Sequence, residues 1–164
     1  MIFWNVGKLG DELREGRVSA AQKTRYFIVY SVVMLLFVEL VARVPKTYNV
    51  FDNIASVFAL FATVVGTWLC HKANSQGDNL NFIERFVCLS LPTGVRVFVT
   101  TGVLFILLIS AEGAAGISAE QTTPLQSALF IVGEFVYYLW LRRALLRTSG
   151  AIDEFGYATR LAND

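Results

Sequence analysis

Apolar residues in this chain gather into four blocks, over positions 26–44, 54–70, 86–110 and 125–141, parted by short polar stretches. Inside the blocks there is neither the three-in-seven stripe of an amphipathic helix nor the alternation of a half-buried strand. Val32, Val33, Met34, Leu35, Leu36 and Phe37 are continuously apolar, as are Val103 to Leu108. A helix rises 1.5 Å per residue, so blocks of about 17 residues or more cross a hydrocarbon core of roughly 30 Å with help from interfacial anchors. The pattern predicts an all-α integral membrane bundle of four transmembrane helices.

Between the blocks, local signals refine the elements. Ser19 and Gln22 are spaced as a capping box, which starts the first long helix before it enters the bilayer. The connection Asn74-Ser75-Gln76-Gly77-Asp78-Asn79 is rich in turn formers, and Asn81 with Glu84 has the spacing of a second capping pair. Phe82, Phe86 and Leu89 then share one side, which predicts a short interfacial helix before the third span. Pro92 removes a ladder hydrogen bond and Gly94 loosens the backbone two residues later, so an elbow or hinge is expected there.

Composition agrees with the pattern. Of 164 residues, 55% are hydrophobic and 16% charged, with a mean hydropathy of +0.53, too apolar for a soluble domain of this size. No segment outside the spans is long enough to bury its own core, which divides the chain into a cytoplasmic arm (1–25), a transmembrane domain (26–147) and a cytoplasmic tail (148–164). The arm carries charge from Lys8 to Arg25 and no apolar core of a cleavable signal, so the first span is expected to act as its own anchor.

The net charge of +1 is uninformative, but its distribution is not. Lys8, Arg14, Arg17, Lys23 and Arg25 lie in the arm, Arg43 and Lys46 in the first connection, Lys72 and Arg85 in the second, and Arg142, Arg143, Arg147 and Arg160 at the C-terminal end. Placing both termini in the cytoplasm puts eleven basic residues inside and two outside. The third connection, with Glu112 and Glu120 and no basic residue, is then external. Tyr137, Tyr138 and Trp140 form part of an aromatic belt at the inner face.

Candidate chemistry is confined to the membrane. Glu39, Arg96 and Glu134 interrupt the spans, each at a cost of about 2.5–3.5 kcal/mol at a helix centre unless paired or hydrated. Arg43, four residues beyond Glu39, offers it a partner within the helix. Counting residues from the boundaries brings Arg96 and Glu134 to similar depth, which predicts either a static pair or an ionisable path. Small residues at Ala55, Ala59, Ala62 and Gly66, and at Ser90, Gly94 and Gly102, mark faces for close helix contact, within a protomer or between protomers. Cys70, His71 and Cys88 are one ligand short of a usual structural zinc site, so no metal is expected. The chain has no nucleophile elbow, P-loop or dinucleotide fingerprint, and neither an enzyme nor a cofactor is expected.

Three functions fit these features. One is a homo-oligomeric channel-like or membrane-perturbing protein. Another is an anchor or scaffold that recruits a cytoplasmic protein partner. The third is a small proton-coupled transporter, against which Glu39 lies near the outer end beside Arg43. The whole-chain layout of four spans with Glu39, Arg96 and Glu134 resembles the compact four-span membrane components of bacterial antiphage defence systems, such as the membrane subunit of Kiwa. The resemblance rests on layout and on no specific motif. It implies a bacterial inner-membrane oligomer that senses infection or disrupts the membrane with a cytoplasmic partner. The partners expected are the lipid bilayer, further copies of the chain and that protein, with no nucleic acid.

Overall fold

The computed structural model describes residues 4–42, 47–117 and 121–152. The expectations placed on Arg43, Lys46, Glu120 and Arg160, and on most of the tail, fall outside the described residues. Those described form five helices and no strand: α1 (Val6–Arg14), α2 (Ala20–Ala42), α3 (Val50–Ser75), α4 (Phe82–Ala114) and α5 (Pro124–Thr148).

Each start has a local cause. Asn5 caps α1, its side chain accepting from the Lys8 amide. The Ser19–Gln22 box forms as expected, the Ser19 amide donating to Gln22 Oε1 and the Gln22 amide to Ser19 Oγ. Asn49 and Asp52 make the same reciprocal box at α3, and Thr123 with Pro124 at the first position starts α5. Asn81 departs from expectation. It lies in the left-handed region at φ 48° and makes no side-chain cap, while Glu84 pairs with Lys23 of α2 instead of reaching back.

Helix α4 is a single element of 33 residues that runs unbroken through Pro92, so the separate interfacial helix expected before the third span does not exist. Pro92 and its neighbours Leu89, Ser90, Leu91 and Thr93 are all buried. Packing on every side holds the helix through a residue that lacks its N–H, where an isolated helix would break.

Helices α2 to α5 alternate in direction. Lys23 meets Glu84 where α2 and α4 begin. Phe51 and Ala73 of α3 meet Ser127 of α5 and the adjoining Ser149, so these two run parallel. Helix α5 is central, packing on α3 and α4; among the described residues α2 packs chiefly on α4, and α1 lies across the ends of α4 and α5. The core is concentrated at this α1 end: Leu9, Leu13, Tyr26, Cys70, Cys88, Leu89, Leu141 and Leu145 are almost wholly enclosed.

By length and hydropathy two helices among the described residues, α3 and α4, are apolar enough to cross a membrane, their most apolar 18-residue stretches having mean hydropathies of 1.8 and 2.1. This is fewer than the four spans expected. Of the four long helices α5 is the least apolar, carrying Glu134, Arg142, Arg143 and Arg147.

Candidate functional site

The connection between α3 and α4, expected as a turn-rich loop, is a polar lock at the α1 end. Asn74 is fully buried, donates to the Leu80 carbonyl and accepts from Arg85. Arg85, itself 3% exposed, grips both oxygens of Asp78 at 2.5 and 2.6 Å. Asp78 Oδ1 also accepts from the Leu80 amide, closing an Asx turn. Burial alone raises the Asp78 pKa, but the Arg85 hydrogen bonds, the Leu80 amide and the Arg85 charge outweigh it and hold the carboxyl below its ordinary range. The lock is fastened to the end of α5. The Asp78 amide donates to the Ser149 carbonyl at 2.9 Å, and Gly77 lies so close to Ser149 that a Cβ there would run into its backbone.

The charges predicted inside the spans occupy separate surroundings. Glu39 sits on an exposed stretch of α2, and its expected partner Arg43 lies outside the described residues. Arg96 and Glu134 form no pair, correcting the expectation from depth. Arg96 turns toward the α1 end, where it donates to the Trp4 carbonyl and places its guanidinium 5.6 Å from the Trp4 ring centre. Glu134 is half-buried near Tyr30 and Tyr138 and makes no ion pair among the described residues. Side-chain direction explains this: Cα–Cβ bonds tilt toward the N-terminus of their own helix, and α4 and α5 are antiparallel. Two long side chains at equal depth on such helices point away from each other.

The small-residue face of α3 meets α5 within the protomer. Ala62 and Gly66 are buried, Ala55 and Ala59 are half-buried on the same side, and the Tyr138 ring fills the space that a side chain at Gly66 would take. On α4, Gly94 is in ordinary contact with Tyr137, whereas Gly102 has no neighbour close enough to require glycine. The closer approach between α4 and α5 comes at Gly133, against Thr101.

A basic cavity of about 290 Å³ opens where α1 crosses α4 and α5. Arg96 of α4 and Arg143 and Arg147 of α5 line it, together with Thr93 and Thr148. Arg147 also binds Asp11 of α1 at 2.9 Å. Close packing of α1 shapes the cavity, since Gly7 lies against the Arg147 guanidinium and Gly10 against the Thr148 hydroxyl. Sequence reasoning named Arg96 and the arginines of α5 but did not bring them together. The missing signal was α1, whose Val6, Leu9 and Leu13 lie on one face behind an Asn5 cap.

A second polar cluster closes the opposite end. Asn49 donates to the Thr122 carbonyl, Thr122 to Asp52, and Thr123 and Gln126 to Glu112. Among the described residues no three histidine, cysteine, aspartate or glutamate side chains gather as metal ligands, and Cys70 and Cys88 are buried free thiols. Comparison of the chain with protein-family models, curated proteins and solved structures finds no match to any of them.

Proposed function

We propose that the chain spans a membrane four times through α2 to α5, with α1 and both termini on the cytoplasmic side, and works as a self-associating, channel-like component. Two polar layers separated by an apolar band support the membrane reading. From Phe51 to Ala73 on α3, and from Ser127 to Ser149 on α5, the distance is roughly 33 Å at 1.5 Å per residue, close to the hydrocarbon thickness. Between the layers, large apolar side chains face outward on all four helices, among them Leu36, Leu60, Ile106 and Leu139. Only 17% and 6% of the most apolar stretches of α3 and α4 are buried. Core helices of a soluble protein would be mostly enclosed. A continuous apolar surface of this kind calls for lipid or further copies of the chain.

Glu134 is the observation that carries the channel-like reading. A half-buried carboxyl in the apolar band, with no counter-charge among the described residues, is costly to keep and is a functional-site hypothesis by default. It sits near Tyr30 of α2 and Tyr138 of α5. One protomer encloses no conduit among the described residues, so a path past Glu134 requires assembly of several copies. The test is ion flux through liposomes holding purified protein. Glu134→Gln keeps the side-chain shape and is expected to leave the fold intact while changing flux several-fold. Unchanged flux with an intact oligomer would remove the channel role.

The built α1 end favours a second reading, a membrane anchor that presents this surface to a cytoplasmic protein. Under that reading Glu134→Gln has no effect on flux, and affinity capture from native membranes with α1-surface variants as controls recovers one soluble partner. In either case the resemblance to antiphage membrane components points to loss of phage protection on deletion as the cellular readout.

A further inference from the structure

We infer that the cavity under α1 is a binding site for a phosphoryl anion, held by Arg96, Arg143 and Arg147 with the hydroxyls of Thr93 and Thr148. Three observations carry this. The first is charge. Three arginines line the cavity, and the carboxylate on them is that of Asp11, bound to Arg147. Arg143 makes no ion pair among the described residues, so the cavity keeps a surplus of positive charge. Like charges gathered this way repel unless an anion separates them.

The second is unmet hydrogen bonding. Thr93 and Thr148 are 2% and 1% exposed, and neither Oγ1 has a partner among the described residues. Elsewhere on α4 the same kind of hydroxyl is satisfied within the helix: Ser90, Thr100, Thr101 and Ser110 each donate to the carbonyl four residues before. Thr93 makes no such bond, although the Leu89 carbonyl is available by register. Buried hydroxyls are partnered in the great majority of proteins, so two orphans on one cavity wall point to a group that is not part of the chain.

The third is size and lining. About 290 Å³ exceeds what a single water or bare halide fills. The polar wall offers donors from guanidinium and hydroxyl groups, which suit the several oxygens of a phosphoryl group better than the two of a carboxylate. Val6, Ala144 and Trp140 line the rest of the cavity, and Trp140 is half exposed beside it. An aromatic side chain at the edge of an apolar band marks headgroup depth. The same phosphoryl chemistry is offered by free phosphate compounds and by an anionic lipid headgroup, and the lipid source alone rests on the membrane reading.

The experiment measures thermal melting and binding of the full chain in mild detergent. The probes are inorganic phosphate against chloride at matched ionic strength, and phosphatidylglycerol against phosphatidylcholine. Phosphate or phosphatidylglycerol is expected to raise the melting temperature, and phosphatidylcholine to leave it unchanged. Arg143→Gln, which breaks no ion pair among the described residues, is expected to weaken the apparent affinity about tenfold or more. Thr93→Val is nearly isosteric and removes an orphan hydroxyl, so the unliganded protein should melt at the same temperature or higher while binding weakens several-fold. Stabilisation by both probes assigns a free phosphoryl ligand, and stabilisation by phosphatidylglycerol alone assigns a headgroup. No shift with either probe, or shifts that persist unaltered in both variants, would overturn the site. Extraction of native membranes at alkaline pH tests bilayer insertion separately, and the phosphate arm in detergent stands whatever its result.

Discussion

Arg85 illustrates how far a buried charge departs from its sequence reading as one of two basic residues in a loop. Its guanidinium is enclosed, and Asp78 and Asn74 supply its acceptors. Removing one partner of such a group costs more than the pair contributes, because the other is left desolvated. Arg85→Leu is therefore expected to destabilise the protein by about 3 kcal/mol, the low end of the range for a buried pair because Asp78 keeps some access to water. Thermal and denaturant melts in detergent check this. Asp78 also gives the lock a pH signature. Its folded pKa is lowered, so its contribution is fully present above the unfolded value of about 3.9 and is lost as pH falls from there through the folded value. Asp78→Asn should lower stability at pH 7 and flatten the acid limb of the melting profile. An acid limb unchanged in the variant would show that Asp78 is not the group responsible.

At the scale of elements, the four long helices were legible because their causes are local: continuous apolar runs and a capping box at Ser19. The start of α4 was misread because Asn81 and Glu84 have the same spacing as a true box, while Glu84 answers to Lys23, 61 residues away in the chain. No window of sequence contains that competitor. The Arg96–Glu134 pair failed for a related reason, since counting rises along a helix fixes the depth of a Cα but not the direction of the side chain. Helix α1 was missed although its signals were present, being too short to stand out against the long apolar blocks. Burial of Leu9 and Leu13 fixes it in place. Leu9→Ala is expected to cost about 2–4 kcal/mol, against about 1 kcal/mol for loss of the cap in Asn5→Ala. If α1 holds the cavity closed, limited proteolysis near Gly16 should quicken in the first variant more than in the second. Equal cleavage in both would detach α1 from the core packing described.

For the molecule as a whole, the distribution of Lys and Arg and the packing of the helices make separate demands on topology. Under the four-span proposal charge alone would assign the sides, eleven basic residues to two favouring a cytoplasmic α1 end. Packing assigns no side but ties segments together. The 76–81 connection is bound to Ser149 at the end of α5, and α1 to Arg147 and Thr148, so all three share one end of the bundle, and on the proposed reading one face of the membrane in either orientation. Gly116 and Thr122 lie at the other end, with Glu112 and Asn49. Reporters inserted near Gln76 and fused after Arg147 must therefore agree with each other and disagree with one inserted near Gly116. Cytoplasmic signals at the first two positions and an external signal at the third are the expected result. The reverse on all three would leave the fold intact and remove only the charge-based orientation, with the phosphoryl site moved to the outer leaflet. Disagreement between Gln76 and Arg147 would break the lock between them, and with it the four-span reading, because the end of α5 and the start of α4 would then lie on opposite sides of the bilayer.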